Sequence, residues 1–206
     1  MKAACWRSLS GSVLYLGLVA TFLVPPTAKA QDVVGSPKSV AAEPKTYVSA
    51  GAAAKEIGNQ GGGSPFRQAP GNGSLLVGCE VTLAPFGNTM IIKSIRPIFE
   101  NSDGSPRTDG QLQGIASQLP ARVEAKPNYA VARIVGMAGD RIDAFYVVFM
   151  RRRGDHLDPA DSYASRWFGA RTSNPLKEVG DLHDRAAIGL SGRSGDDVDA
   201  ISLIFE

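Results

Sequence analysis

Three carboxylates crowd one short stretch of this chain. Asp196, Asp197 and Asp199 lie in Gly195-Asp-Asp-Val-Asp-Ala-Ile-Ser-Leu-Ile-Phe205, beside the free backbone N–H groups of a glycine-rich turn. Acceptors and donors held this close together make a polar recognition loop. Such a loop needs a carrier, and the flanking residues supply it. Apolar residues on both sides of a Gly/Asp cluster are the mark of a β-hairpin. The pattern occurs a second time: Gly139-Asp-Arg-Ile-Asp-Ala-Phe-Tyr-Val-Val-Phe149 repeats it at an offset of 56 residues. That copy brings Gly139, Asp140, Arg141 and Asp143 to an equivalent tip. A third outline, Gly87-Asn-Thr-Met-Ile-Ile-Lys-Ser-Ile-Arg-Pro-Ile-Phe99, keeps the turn and the alternating strand but has Met90 and Lys93 in place of the aspartates. Three copies of one strand–turn–strand unit predict an all-β fold with approximate threefold symmetry.

The polar residues also have plain structural readings. An aspartate that follows glycine in a hairpin commonly bonds an N–H of its own turn, which accounts for Asp140 and Asp196. Asp143 and Asp199 are harder to account for, because strict alternation puts them on the face of the core residues two positions on. Each stays open to two roles, ligand contact or structural bond.

The rest of the chain divides by composition. Residues 1–30 have the signal-peptide pattern: Lys2 and Arg7, an apolar run over 12–24, Pro25-Pro26, then Ala28-Lys29-Ala30. The run is short for a membrane span, and an uncleaved N-terminal anchor is the competing reading. Cleavage predicts export to a secreted, periplasmic or cell-surface location, with no membrane insertion. It changes the net charge from +2 to −1, 19 basic residues against 20 acidic. A near-neutral protein is a poor partner for nucleic acid or an anionic membrane. Cys79 is then the sole cysteine, which rules out an internal disulfide and places a buried, inert thiol in an apolar run. Residues 31–60, rich in Ala, Gly, Pro, Ser and Lys, read as a flexible linker with a helical turn near 52–57. From residue 61 the chain reads as one domain, with apolar segments at 75–83, 89–99, 130–135, 142–150, 186–190 and 198–205 between Gly/Asp/Pro/Asn clusters.

The catalytic vocabulary is thin. There is no Gly-x-Ser-x-Gly, no His-Glu-x-x-His and no phosphate loop. Asp155-His-Leu-Asp-Pro-Ala-Asp161 has oxygen ligands at spacings that suit Ca²⁺, but its single His and intervening Pro read as an exposed turn. The expectation is a protein that is not an enzyme and carries no metal or other cofactor.

Two segments carry a resemblance to the jacalin-related lectins, with the zymogen-granule-type branch nearest in character. Gly61-Gly-Gly-Ser-Pro-Phe66 resembles that family's N-terminal glycine loop, and Gly192-Arg-Ser-Gly-Asp-Asp-Val-Asp-Ala-Ile-Ser-Leu203 resembles its closing hairpin with a Gly-x-x-x-Asp loop. The resemblance covers roughly residues 60–206. It implies a β-prism of three four-stranded Greek-key sheets, with the first strand joining the last two. It further implies non-catalytic binding of a terminal sugar where the two loops meet. Carried over by position, Asp199 accepts from sugar hydroxyls, while the N–H groups of Gly63, Asp196 and Asp197 donate. An open site of this kind binds weakly, with a dissociation constant on the order of a millimolar. The second tip, Gly139, Asp140, Arg141 and Asp143, is a candidate second site or site edge. The family's aromatic loop residues are replaced here by Asp196, Asp197 and Arg141. The competing function is a cell-surface assembly module with a vestigial sugar site, and homo-oligomerisation stays open.

Overall fold

The computed structural model describes residues 52–53 and 55–206. Its early strands are β1 (Ala52–Ala53), β2 (Ile57–Gly58), β3 (Ser64–Gln68), β4 (Leu75–Phe86), β5 (Thr89–Glu100), β6 (Thr108–Asp109), β7 (Gln113–Gly114) and β8 (Leu119–Glu124). The later ones are β9 (Tyr129–Ala138), β10 (Ile142–Arg153), β11 (His156–Ala164), β12 (Phe168–Gly169), β13 (Lys177–Gly180), β14 (Gly189–Ser194) and β15 (Val198–Ile204). No helix occurs among the described residues.

These strands make three sheets built on one plan. In the first, the hairpin β4–β5 is flanked by β8 on one side and by β6 and β7 on the other. In the second, the hairpin β9–β10 is flanked by β13 on one side and by β11 and β12 on the other. In the third, the hairpin β14–β15 is flanked by β3 and β2. Each unit is therefore a central hairpin, an edge strand and a two-residue strand ending in glycine. The expected four positions per sheet are present. The outer position is split between two strands in the first and second sheets, and β1 adds in parallel to β13. The third unit takes its hairpin from the last residues of the sequence and its flanking strands from residues 57–68, so the two glycine-bearing segments are brought together.

The early segment departs from the sequence reading in one respect. A linker over 31–60 with a helical turn near 52–57 was expected, but strands stand at Ala52–Ala53 and Ile57–Gly58, and Ile57 is fully buried in the core. The apolar Ile57 has a sheet to join, which its polar neighbours conceal. The signal-peptide reading of residues 1–30 lies outside the described residues.

The repeat is legible in the core itself. Ile92, Ile142 and Val198 occupy equivalent positions, as do Ile95, Phe145 and Ile201, and all six are 0% exposed. Together with Phe99, Phe149, Phe168 and Leu190 they form one apolar cluster enclosed by the three sheets. Burial of β-branched and aromatic side chains on the inner face of each strand is what holds the sheets together. Cys79 is in this core, and burial pushes its thiol up to about 12, consistent with an inert thiol.

Candidate functional site

Each central hairpin carries, at a matching position of its second strand, a residue that the partner strand skips. In the first sheet Thr82 pairs with Ser94 and Leu83 with Ile92, leaving Lys93 out of register. In the second, Met137 pairs with Ala144 and Ala138 with Ile142, leaving out Asp143. In the third, Arg193 pairs with Ala200 and Ser194 with Val198, leaving out Asp199. All three are β-bulges, and a bulge resets the alternation of side chains. This corrects the expectation from strict period-2 alternation. Asp143 and Asp199 escape the core face because the strand slips at that residue.

A second device fixes each bulge. The carbonyl of the bulged residue accepts the N–H that follows the glycine of the short strand: Asn59 to Asp199 at 3.0 Å, Ile115 to Lys93 at 3.1 Å and Ala170 to Asp143 at 3.1 Å. The glycines Gly58, Gly114 and Gly169 have φ of 121°, 87° and 80°. A Cβ on any of them would run into that same carbonyl oxygen. Only glycine allows the approach.

The three bulged side chains meet different fates. Lys93 reaches across to the Asp197 carboxylate at 2.5 Å. Asp143 accepts at Oδ2 from Thr172 Oγ1 at 2.9 Å and from Asn174 Nδ2 at 2.7 Å. Asp199 receives no side-chain donor among the described residues; the one main-chain N–H that draws on its carboxylate, Gly195, is also bonded to the Asp197 carbonyl at 3.0 Å. Burial and the adjacent Asp197 charge push the Asp199 carboxyl above its ordinary range, against the pull of Arg141 and Arg193. A part-buried carboxylate with spare lone pairs and no cation bonded to it is an acceptor waiting for donors.

Around Asp199 the neighbours are held firmly. Asp197 bonds Lys93 and Arg141, each at 2.5 Å, so it joins one residue from each of the three repeats. Burial pushes the Asp197 carboxyl up, but those two bonds outweigh it and hold it below the ordinary range. Its carboxylate is thus committed within the protein. No acceptor among the described residues takes the N–H groups of Asp196 or Asp197. From the opposite side, Arg193 donates through Nε to the Gly62 carbonyl at 2.5 Å and through Nη2 to the Gly63 carbonyl at 2.7 Å, pinning the glycine loop to β14. Gly63 has φ of +46°, and a Cβ there would collide with the Asp199 carboxylate and the Ser194 backbone. A Cβ on Gly62 would come within 2.7 Å of the Asp199 Cγ. The two glycines let the loop lie against the carboxylate.

The fold therefore brings Gly63, Asp196, Asp197 and Asp199 together at one tip. The second tip places Gly139 and Asp140 in exposed positions, sends Arg141 to the third tip, and surrounds Asp143 with Thr172 and Asn174. Asn174 also closes on Gly139, with Nδ2 3.2 Å from where a Cβ would lie. An amide side chain thus fills the space that a glycine loop leaves clear at Asp199. Lys93 and Arg193 were not singled out from sequence. The signal for Lys93 was its place opposite the aspartates in the repeat; Arg193 had none.

Other polar clusters are self-contained. Asp161 accepts from the Tyr129 hydroxyl at 2.6 Å and pairs with Arg151, and Asp158 accepts the Ala160 N–H at 3.0 Å. No group of three or more His, Cys, Asp or Glu suited to a metal ion occurs among the described residues. A cavity of about 530 Å³ opens at the opposite end of the first sheet, but its Arg107 and Arg152 both pair with Glu100.

This sheet architecture is the β-prism of jacalin-related lectins. It is similar to Calystegia sepium agglutinin, with a TM-score of 0.55 at 18% identity over 73% of this chain and 93% of that one. It is similar to a mannose-binding jacalin-related lectin from Ananas comosus, with a TM-score of 0.52 at 16% identity over 72% and 92%. It is also similar to artocarpin in its mannotriose complex, with a TM-score of 0.54 at 15% identity over 73% and 94%. No protein-family model matches the chain. No curated protein is similar to it in sequence.

Proposed function

We propose that this protein is a non-catalytic lectin that binds a terminal sugar at the third tip. The Asp199 carboxylate accepts from two neighbouring hydroxyls of the pyranose, while the N–H groups of Gly63, Asp196 and Asp197 donate to its oxygens. One observation carries the reading. Of three equivalent bulged residues, Asp199 alone is left without a side-chain partner among the described residues, between a glycine loop and two unpartnered N–H groups. Mannose is the first candidate, since the Ananas lectin is described as mannose-binding and artocarpin carries mannotriose. The signal-peptide pattern supports export, and the paired glycine loop and closing hairpin support placement near the zymogen-granule-type branch. An open site with few polar contacts has a dissociation constant on the order of a millimolar, so display in several copies raises the useful affinity.

The test is a glycan array probed with the chain in multivalent form beside Asp199→Ala. Signals that disappear in the variant place the site at Asp199. A blank array from a folded sample overturns the sugar reading and favours an assembly module that keeps the prism for protein contacts.

A further inference from the structure

The first repeat differs from the others in the length of its hairpin. In the second and third hairpins the bulge sits one pair from the turn: Ala138 with Ile142, and Ser194 with Val198. In the first, pairing continues past the bulge through Leu83–Ile92, Ala84–Ile91 and Pro85–Met90 to Phe86–Thr89. At 3.3–3.4 Å per residue, those three extra pairs project about 10 Å beyond the other two tips. The arm ends in Phe86, a large aromatic that is 55% exposed. Arg141 ties the arm to the site, its guanidinium 4.3 Å from the Phe86 ring centroid while Nη1 bonds Asp197. The ring centroid is thus within about 8 Å of the Asp197 carboxylate, given an ordinary C–N bond across the guanidinium. Three of the four large apolar side chains that the described surface exposes, Phe86, Ile115 and Leu119, belong to this repeat.

A pyranose has an apolar C–H face as well as hydroxyls. An exposed aromatic ring fixed beside a sugar site suits that face, and aromatic contact area is what binding surfaces add for affinity. We infer that Phe86 is a platform for the second sugar of an oligosaccharide whose terminal residue sits at Asp199, so that the protein selects an extended glycan over a single sugar. This rests on the sugar reading of the third tip. Arg141, bound to Asp197 and stacked on the ring, keeps the platform at a set distance from the first subsite.

The experiment compares methyl α-mannoside and mannotriose by titration against the unaltered chain, Phe86→Ala, Phe86→Trp and Asp199→Ala. Phe86→Ala should weaken mannotriose about tenfold, the scale of one aromatic contact, and leave methyl α-mannoside within twofold. Phe86→Trp should keep or strengthen the preference for mannotriose. Equal loss of both sugars in Phe86→Ala overturns the inference, since the ring would then serve the terminal sugar. No loss of either in Phe86→Ala, with both lost in Asp199→Ala, overturns it and leaves the sugar site standing. An unaltered chain that binds neither sugar overturns the inference, and the glycan array then decides the sugar reading by itself.

Discussion

Asp143 and Asp199 begin from the same place. Each is the skipped residue of a bulge, each lends its carbonyl to the residue after a left-handed glycine, and each lies between two buried apolar neighbours. Their surroundings then part. The loop after Gly169 supplies Thr172 and Asn174, which give Asp143 its donors from within. The loop after Gly58 supplies Gly62 and Gly63, which approach the Asp199 carboxylate and bring no side chain. The difference teaches that the bulge alone does not make a site. It aims a carboxylate; whether the opposing loop brings donors to it, as at Asp143, or only glycine backbone, as at Asp199, is what differs.

The strongest way to break this comparison is Gly63→Ala. A non-glycine residue in left-handed backbone costs about 1–3 kcal/mol, and the new methyl must also displace the Asp199 carboxylate. The variant should show a lower denaturation midpoint and no sugar signal; full binding would mean that the glycine loop takes no part. Next comes the pair of aspartates. Asp199→Ala should lose roughly 1.5–3 kcal/mol of sugar affinity, the usual worth of bonds to a charged group, with no loss of melting temperature at neutral pH. Asp143→Ala should do the reverse, keeping sugar affinity and losing about 1–2 kcal/mol of stability as Thr172 and Asn174 lose their acceptor. Calorimetry and denaturant titration of the two variants side by side would expose a mistaken assignment as an exchange of these outcomes.

Smaller effects follow from pH. Ionised Asp199 accepts from two hydroxyls more strongly than the protonated acid does, and its carboxyl is raised, so sugar affinity should fall as pH drops through a value above the ordinary 3.9 or so. For folding the signs are opposite at the two aspartates. The raised Asp199 contributes stability that is fully present below about 3.9 and is lost as pH rises through its folded value. The lowered Asp197 contributes stability that is present above about 3.9 and is lost as pH falls through its folded value. Thermal melts of Asp197→Asn across the acid range should therefore show a shallower acid loss than the unaltered chain, and Asp199→Asn a shallower loss on the way up from low pH.

Much of the prism was legible because the repeat is written in the core. Gly139–Phe149 and Gly195–Phe205 share their turn pattern, and the first copy keeps the closing Phe, so the threefold plan follows from matching residues. The aspartates of the third tip were legible in the same repeat, whereas Gly63 came only from the resemblance of Gly61–Phe66 to the lectins' glycine loop. What could not be read was the environment of each carboxylate. Thr172 and Asn174 stand about thirty residues from Asp143, and nothing local marks them as its donors. The bulges were hidden because a slip in pairing is a relation between two strands, visible in neither alone. The strand at Ile57–Gly58 was hidden because two residues are too few to show a period, though the partner strand β15 demands them.

The glycine loop and the closing hairpin touch although far apart along the chain; the bond from Arg193 to the Gly62 carbonyl spans 131 residues. Local turns fix all three central hairpins, but the third sheet also needs flanking strands from residues 57–68. The third waits for its distant halves, and contacts of such separation form late because the intervening chain must first be ordered. On the proposed reading, sugar binding is then the last property that the chain acquires in folding. A single cut between residues 68 and 75 that released the early segment would remove it while sparing most of the remaining strands.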